Sequence, residues 1–295
     1  MMIFMQSIPN HSLIFNGPCS ARQGKVEEAM LFYFTATGNS LYVAKQLDPR
    51  CISIAQAIHD ELRAYEDRQI GIVCPVHVQR MPELVAAFLR NARFDTAYFY
   101  IILTYGSRYG NAPRQACDLA QSLGIRPAYV NVVWMADNFL PEADIEEETA
   151  ADKQTDAQIA AIQEDLHHSR RFIAPEDDRG RRFSRLFSKL AKNGPGLYHI
   201  NEDCIGCGIC QKICPMDRFT IQDQKSKYDP NGCIGCMACI HACPMIAIRL
   251  NTTERNHNAR YRNEHISLCE IIDANDQHRC TKKKRGKHNE HDQTE

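Results

Sequence analysis

The sequence predicts an α/β chain, a doubly wound parallel sheet followed by a small α+β domain rich in cysteine. Three observations carry this. Strand and helix signals alternate from residue 30 to about residue 173, the pattern of βαβ units that build a parallel sheet. The first of those strands runs directly into Thr35-Ala-Thr37-Gly38-Asn39-Ser40 and then a helix. Two near-identical cysteine runs, 204–215 and 233–244, lie beyond the alternating region.

Residues 1–29 show no sustained periodicity and read as a disordered extension, upstream of a start at Met30. The first strand covers 31–34 and the first helix 41–47, followed by a short strand at 51–54. An apolar, buried strand spans 71–76, and Pro82 suits the first turn of a helix over 82–89. Further strands fall at 98–103 and 129–133, with a helix at 113–123 between them. A long amphipathic helix is predicted over 151–172, with Ile159, Ile162, Leu166 and Ile173 as its spaced apolar positions. Residues 174–197 form a linker, in which Phe183, Leu186, Phe187 and Leu190 make an i, i+3, i+4, i+7 stripe opposed by Arg181, Arg182, Arg185 and Lys189; this reads as a docking helix. The second domain occupies 198–250, and 251–295 is a polar tail, read as solvated and ending in a basic run.

At 295 residues the chain has room for two domains. A formal net charge of -1 excludes the strongly basic balance of bulk nucleic-acid binding. No stretch approaches the roughly 20 apolar residues of a membrane span, and the N-terminus lacks the basic flank of a signal peptide.

Cys204, Cys207, Cys210 and Cys214 stand in a C-x2-C-x2-C-x3-C-P run, and Cys233, Cys236, Cys239 and Cys243 repeat it. The x2 steps let three thiolates on a tight turn reach three irons of one cubane cluster, while the fourth Cys points away and completes the other cube. Cys204, Cys207, Cys210 and Cys243 are thereby assigned to one 4Fe-4S cluster, and Cys233, Cys236, Cys239 and Cys214 to a second. A zinc site would use ligand pairs set well apart, often with His. A disulfide knot does not account for two identical runs ending in Pro. His241, between two of these cysteines, reads as a packing or hydrogen-bonding residue and not a ligand. The other six cysteines are scattered, and Cys74 reads as a small buried hydrophobe. Oxygen-sensitive clusters and unpaired thiols point to a reducing cytoplasm.

Thr35-x-Thr37-Gly38-Asn39-Ser40 joins a buried strand to a helix N-terminus, where free N–H groups and the helix dipole favour a phosphate. Thr37 and Ser40 are also good helix caps, so a plain cap is the alternative. The loop lacks the G-x-G-x-x-G backbone that receives a pyrophosphate, which favours FMN over FAD or a nicotinamide.

The cysteine runs resemble those of bacterial two-cluster ferredoxins. Residues 30–173 are similar to flavodoxin domains, whose phosphate loop is T-x-T-G-N-T; Ser40 keeps the final hydroxyl. The resemblance implies a flavodoxin-like sheet followed by a small α+β two-cluster ferredoxin domain, with FMN bound at Thr35, Thr37, Gly38, Asn39 and Ser40. It also implies two loops flanking the flavin ring: 75–78 with His77, and 104–111 with Thr104, Tyr105, Gly106 and Tyr109. Tyr105, Tyr109 and His77 are then the ring-stacking candidates. Neither loop carries a Trp, and Trp134 at the end of the fifth strand reads as rim packing. The order of domains, with a tailpiece at 260–272, resembles the EFR-type ferredoxins, flavodoxin–ferredoxin fusions found mainly in anaerobes.

The expected function is electron transfer between the clusters, FMN and a redox partner protein. The alternatives are a flavin-dependent reductase of a quinone or other small acceptor with the clusters as its wire, and an iron–sulfur protein whose flavodoxin-like domain is only a docking platform. Residues 200–250 balance five acids against five bases, so no charged docking surface is legible, nor is the oligomeric state.

Overall fold

Side chains along the central strands alternate between two apolar layers, the period-two pattern of a sheet buried on both faces. Phe32, Phe34, Ile70, Ile72, Phe99, Ile101 and Leu103 point to one layer. Leu31, Tyr33, Val73, Tyr100, Ile102 and Val133 point to the other. The computed structural model describes residues 29–60, 63–177 and 197–276; of the extension expected over 1–29 only Ala29 is described, and it belongs to the first strand, while residues 1–28 and the linker stripe within 178–196 lie outside the described residues.

In chain order the elements are β1 (Ala29–Tyr33), α1 (Asn39–Leu47), β2 (Ile52–Ser53), α2 (Ile54–Ala57), β3 (Ala64–Glu66), β4 (Gln69–Pro75), α3 (Glu83–Asn91), β5 (Arg93–Asp95), β6 (Tyr98–Tyr105), α4 (Ala112–Ser122), β7 (Pro127–Trp134), α5 (Ile145–Ala150), α6 (Thr155–His167) and β8 (Phe172–Ile173). The cysteine-rich part contributes β9 (Tyr198–Ile200), α7 (Ile209–Ile213), β10 (Phe219–Gln222), β11 (Lys225–Tyr228), α8 (Ala238–Ala242) and β12 (Ile248–Leu250), and α9 (Leu268–Asn275) follows.

The main sheet is six-stranded in the order β2-β1-β4-β6-β7-β8, and every pairing in it is parallel. With the small β3–β5 pair set aside, the first five strands follow the 2-1-3-4-5 order of the flavodoxin-like doubly wound fold. Helices α1 and α6 cover one face, and α2, α3 and α4 cover the other. In that fold the crevice for a ligand opens at the carboxyl ends of the strands, where the reversal in strand order separates the loops.

Gly71 sits mid-strand because Tyr100 lies across it. An added Cβ there would meet the Tyr100 ring carbon Cζ at 2.1 Å. Gly71→Ala is therefore expected to destabilise the sheet by about 1–3 kcal/mol through overpacking, read as a lower denaturant midpoint with an unchanged slope.

Two expectations require correction. The helix predicted over 151–172 is shorter: α6 ends at His167, Ser169 adopts φ 49°, and the chain returns as the sixth strand β8. A left-handed residue ends a helix, so Ile173 belongs to an edge strand and is exposed instead of joining the helical stripe.

The second correction concerns the polar tail, which is folded through residue 276. Its polar residues are internal partners. Glu254 is buried, accepts from the Leu250 N–H at 2.9 Å and lies 3.0 Å from Arg260. Ser267 and Glu270 form a reciprocal capping box that opens α9. Ile266, Ile271 and Ala274 are buried against the rest of the chain. No helix among the described residues is long and apolar enough to cross a membrane.

Candidate functional site

The cysteine-rich part is built twice. Each half has a loop with left-handed turns (Gly206 at φ 64° and Gly208 at 77°; Gly235 at 65° and Met237 at 64°) that delivers three cysteines to the start of a short helix. The antiparallel pairs β9–β12 and β10–β11 close the two halves.

Two cavities result. Cys204, Cys207, Cys210 and Cys243 line the first, with Ile221, Ile248 and Ser226. Cys214, Cys233, Cys236 and Cys239 line the second, with Phe219 and Tyr198. Each cavity thus takes three cysteines from one run and the fourth from the other. None of the described cysteines is in a disulfide. Among the described residues no three His, Cys, Asp or Glu side chains gather closely enough for a single metal ion. The sulfurs ring spaces, as a multi-iron cube requires.

Backbone and side-chain donors approach these sulfurs. The Arg218 N–H reaches Cys214 Sγ at 3.3 Å and the Ala247 N–H reaches Cys243 Sγ at 3.2 Å, equivalent bonds in the two halves. Ser226 supplies its N–H to Cys204 Sγ at 3.4 Å and places its hydroxyl 3.1 Å from Cys210 Sγ. Burial pushes the thiols of Cys210, Cys214, Cys236 and Cys239 upward, so only a bound cation makes the thiolates affordable there.

This half is docked on the sheet. One apolar cluster runs from α1 and α6 through Tyr198, Ile213, Phe219 and Ile240, and Met216, Ile234 and Cys236 also pack on the opposite layer. His241 is the polar pin. The Tyr261 N–H donates to its Nδ1 at 3.0 Å, which leaves Nε2 protonated to donate to the Asn138 carbonyl at 2.8 Å. Burial lowers its pKa to about 4.

The expected phosphate loop has a different set of partners from those a phosphate would supply. Gly38, at φ 104°, opens α1, and its N–H donates to Thr35 Oγ1 at 3.1 Å. Thr37 Oγ1 accepts from Asn138 Nδ2 at 2.6 Å, and the Ser40 hydroxyl pairs with that of Thr104 at 2.8 Å. Asn39 donates to the Ala136 carbonyl at 3.1 Å, and its Oδ1 accepts from Tyr261 Oη at 2.6 Å and Asn263 Nδ2 at 3.1 Å. Thr35, Thr37, Asn39, Ser40 and Thr104 are all buried. The residues present therefore do not fit an FMN phosphate in this arrangement.

The expected ring loops are near one another but engaged locally. Tyr105 and Tyr109 meet edge to face at 4.8 Å between centroids. Gly106 is closed over by Asp137, whose Cβ would lie 2.3 Å from an added Cβ. His77 pairs its backbone with Arg80 and sets its ring edge-on to Phe34. Trp134 is a rim residue, 39 % exposed, with the Lys153 ammonium 4.4 Å above its ring.

Comparison with known proteins bears on the second half. Residues 197–244, which contain all eight of these cysteines, match the 4Fe-4S dicluster domain family. No curated protein matches the chain. Among solved structures it is similar to a protein named as a flavoprotein, from Bacteroides uniformis ATCC 8492, at 16% identity and a TM-score of 0.28, over 41% of this chain and 95% of that one. It is similar also to the Trp repressor binding protein from Bacillus subtilis, at 10% identity and a TM-score of 0.30, over 45% of this chain and 95% of that one. The fold assignment rests on strand order and not on these likenesses.

Proposed function

We propose that the chain is an electron carrier in which two 4Fe-4S clusters exchange low-potential electrons with redox partner proteins. The observation that carries this is the crossed distribution of eight unbridged cysteines around two apolar cavities. Cys204, Cys207, Cys210 and Cys243 would hold one cluster, and Cys233, Cys236, Cys239 and Cys214 the other. When bound, each cluster supplies one-electron chemistry.

The protein's own part is to hold, shield and tune. Ile221 and Ile248 keep water from the first cavity, and Tyr198 and Phe219 from the second. The first cavity is the port to partners: Ile205 and Met245 on its rim are 60 % and 43 % exposed, and Cys207 is exposed. The second faces inward, since Met216, Ile234 and Cys236 pack on the sheet. The flavodoxin-like half serves as the platform that holds the cluster domain. The FMN-carrying fusion implied by the EFR-type resemblance would need residues 261–266 to leave the loop at Thr35–Ser40.

A redox titration followed by electron paramagnetic resonance tests the reading. Two one-electron reductions per chain are expected, without a flavin chromophore; a single reduction would contradict it. Ser226→Ala should make the potential of the first cluster more negative, because a donor that favours the reduced, more negative state is lost. A net hydrogen bond of about 1 kcal/mol corresponds to roughly 40 mV for one electron.

A further inference from the structure

We infer that the Thr35–Ser40 loop is an intramolecular socket for the chain's own C-terminal strap, with Asn263 seated where a phosphate would sit, and that the protein binds no FMN. The loop has the sequence of an anion site at a helix N-terminus, where backbone N–H groups and the dipole would face the ligand. What faces it is residues 261–266. An added Cβ on Gly38 would lie 2.9 Å from Asn263 Cβ and 3.1 Å from Ile266 Cβ, so the strap rests directly on the glycine that a phosphate would approach.

Both the backbone and the side chain of Asn263 are spent on the loop. Its N–H donates to the Thr37 carbonyl at 2.9 Å, and its Nδ2 donates to Asn39 Oδ1 at 3.1 Å. Asn263 is 5 % exposed. The strap thus donates to two acceptors of the loop, groups that an acceptor-only phosphate could not pair with.

The strap is fastened on either side of this point. Tyr261 bonds Asn39 through its hydroxyl and His241 through its N–H. Asn275, fully buried, donates to the Thr35 carbonyl at 3.1 Å, and Ser53 donates to the Ala274 carbonyl at 2.6 Å. His265 stacks on Tyr42 at 4.7 Å, and Lys45 pairs with Glu270 at 2.6 Å. The same strap reaches the cluster domain through His241. The socket thus joins the two halves.

Equilibrium dialysis of FMN against the full-length protein, paired with hydrogen exchange over residues 261–275, tests this. The expected result is no saturable FMN binding up to about 1 mM. Asn263→Ala should speed exchange of the strap amides about tenfold, since the side-chain bond to Asn39 and the acceptor of the His265 N–H are lost, with Tyr261→Phe giving a smaller increase should the first variant fold poorly. Saturable FMN binding by the unaltered chain overturns the inference, whether or not the strap loosens. Unchanged strap exchange in the variant that folds overturns it as well. Iron content of the same samples reports separately on the cluster reading.

Discussion

Cys214→Ser is expected to cost the cluster ringed by Cys233, Cys236 and Cys239, while the one served by Cys204, Cys207 and Cys210 survives. Sequence proximity alone would suggest the reverse, because Cys214 closes the first run. The geometry crosses over, since Cys214 lines the second cavity and Cys243 the first. Cys210→Ser should damage the first cluster and spare the second. Iron should fall from about eight to about four per chain in each variant, with different surviving resonances. If Cys214→Ser and Cys210→Ser removed the same resonance, the crossed assignment would be wrong.

The second large effect is expected at the buried pair of Glu254 and Arg260. Their side chains are 2 % and 8 % exposed and approach within 3.0 Å, and Arg249 lies 3.5 Å from the same carboxylate. Burial lowers the Arg260 pKa, the mark of a charge removed from water. Glu254→Ala leaves the guanidinium without its counter-charge and the Leu250 N–H without its acceptor, which should destabilise the chain by about 3–5 kcal/mol. The double change Glu254→Leu with Arg260→Met removes both charges and should recover most of the loss. Denaturant unfolding of the single and double variants measures this; a loss below about 1 kcal/mol in the single variant would show the pair to be solvated.

The two halves were unequally legible. Hydrophobic runs at 71–76 and 98–103 marked central strands, because strands buried on both faces must be continuously apolar. Cysteine spacing marked the cluster domain because few other chemistries need that repeat. The strap was not legible as a tail because its folding depends on partners far away in sequence: Asn39 for Tyr261 and Asn263, Thr35 for Asn275. One local signal was available. Ser267-x-x-Glu270 before Ile271 and Ile272 is a capping box ahead of apolar residues. The loop at Thr35–Ser40 was legible as a pattern at a strand–helix junction, but the donors that Asn263 and Asn138 bring to Asn39 Oδ1 and Thr37 Oγ1 come from far along the chain and left no local signal. Strand β8 escaped because two residues are too few for periodicity to register.

The most direct test of the account is iron and acid-labile sulfide in the full-length chain isolated without oxygen, with zinc measured in the same sample. About eight irons and eight sulfides per chain are predicted, with no stoichiometric zinc. Four of each, or zinc in place of iron, would contradict the assignment of two cubane clusters to these eight cysteines.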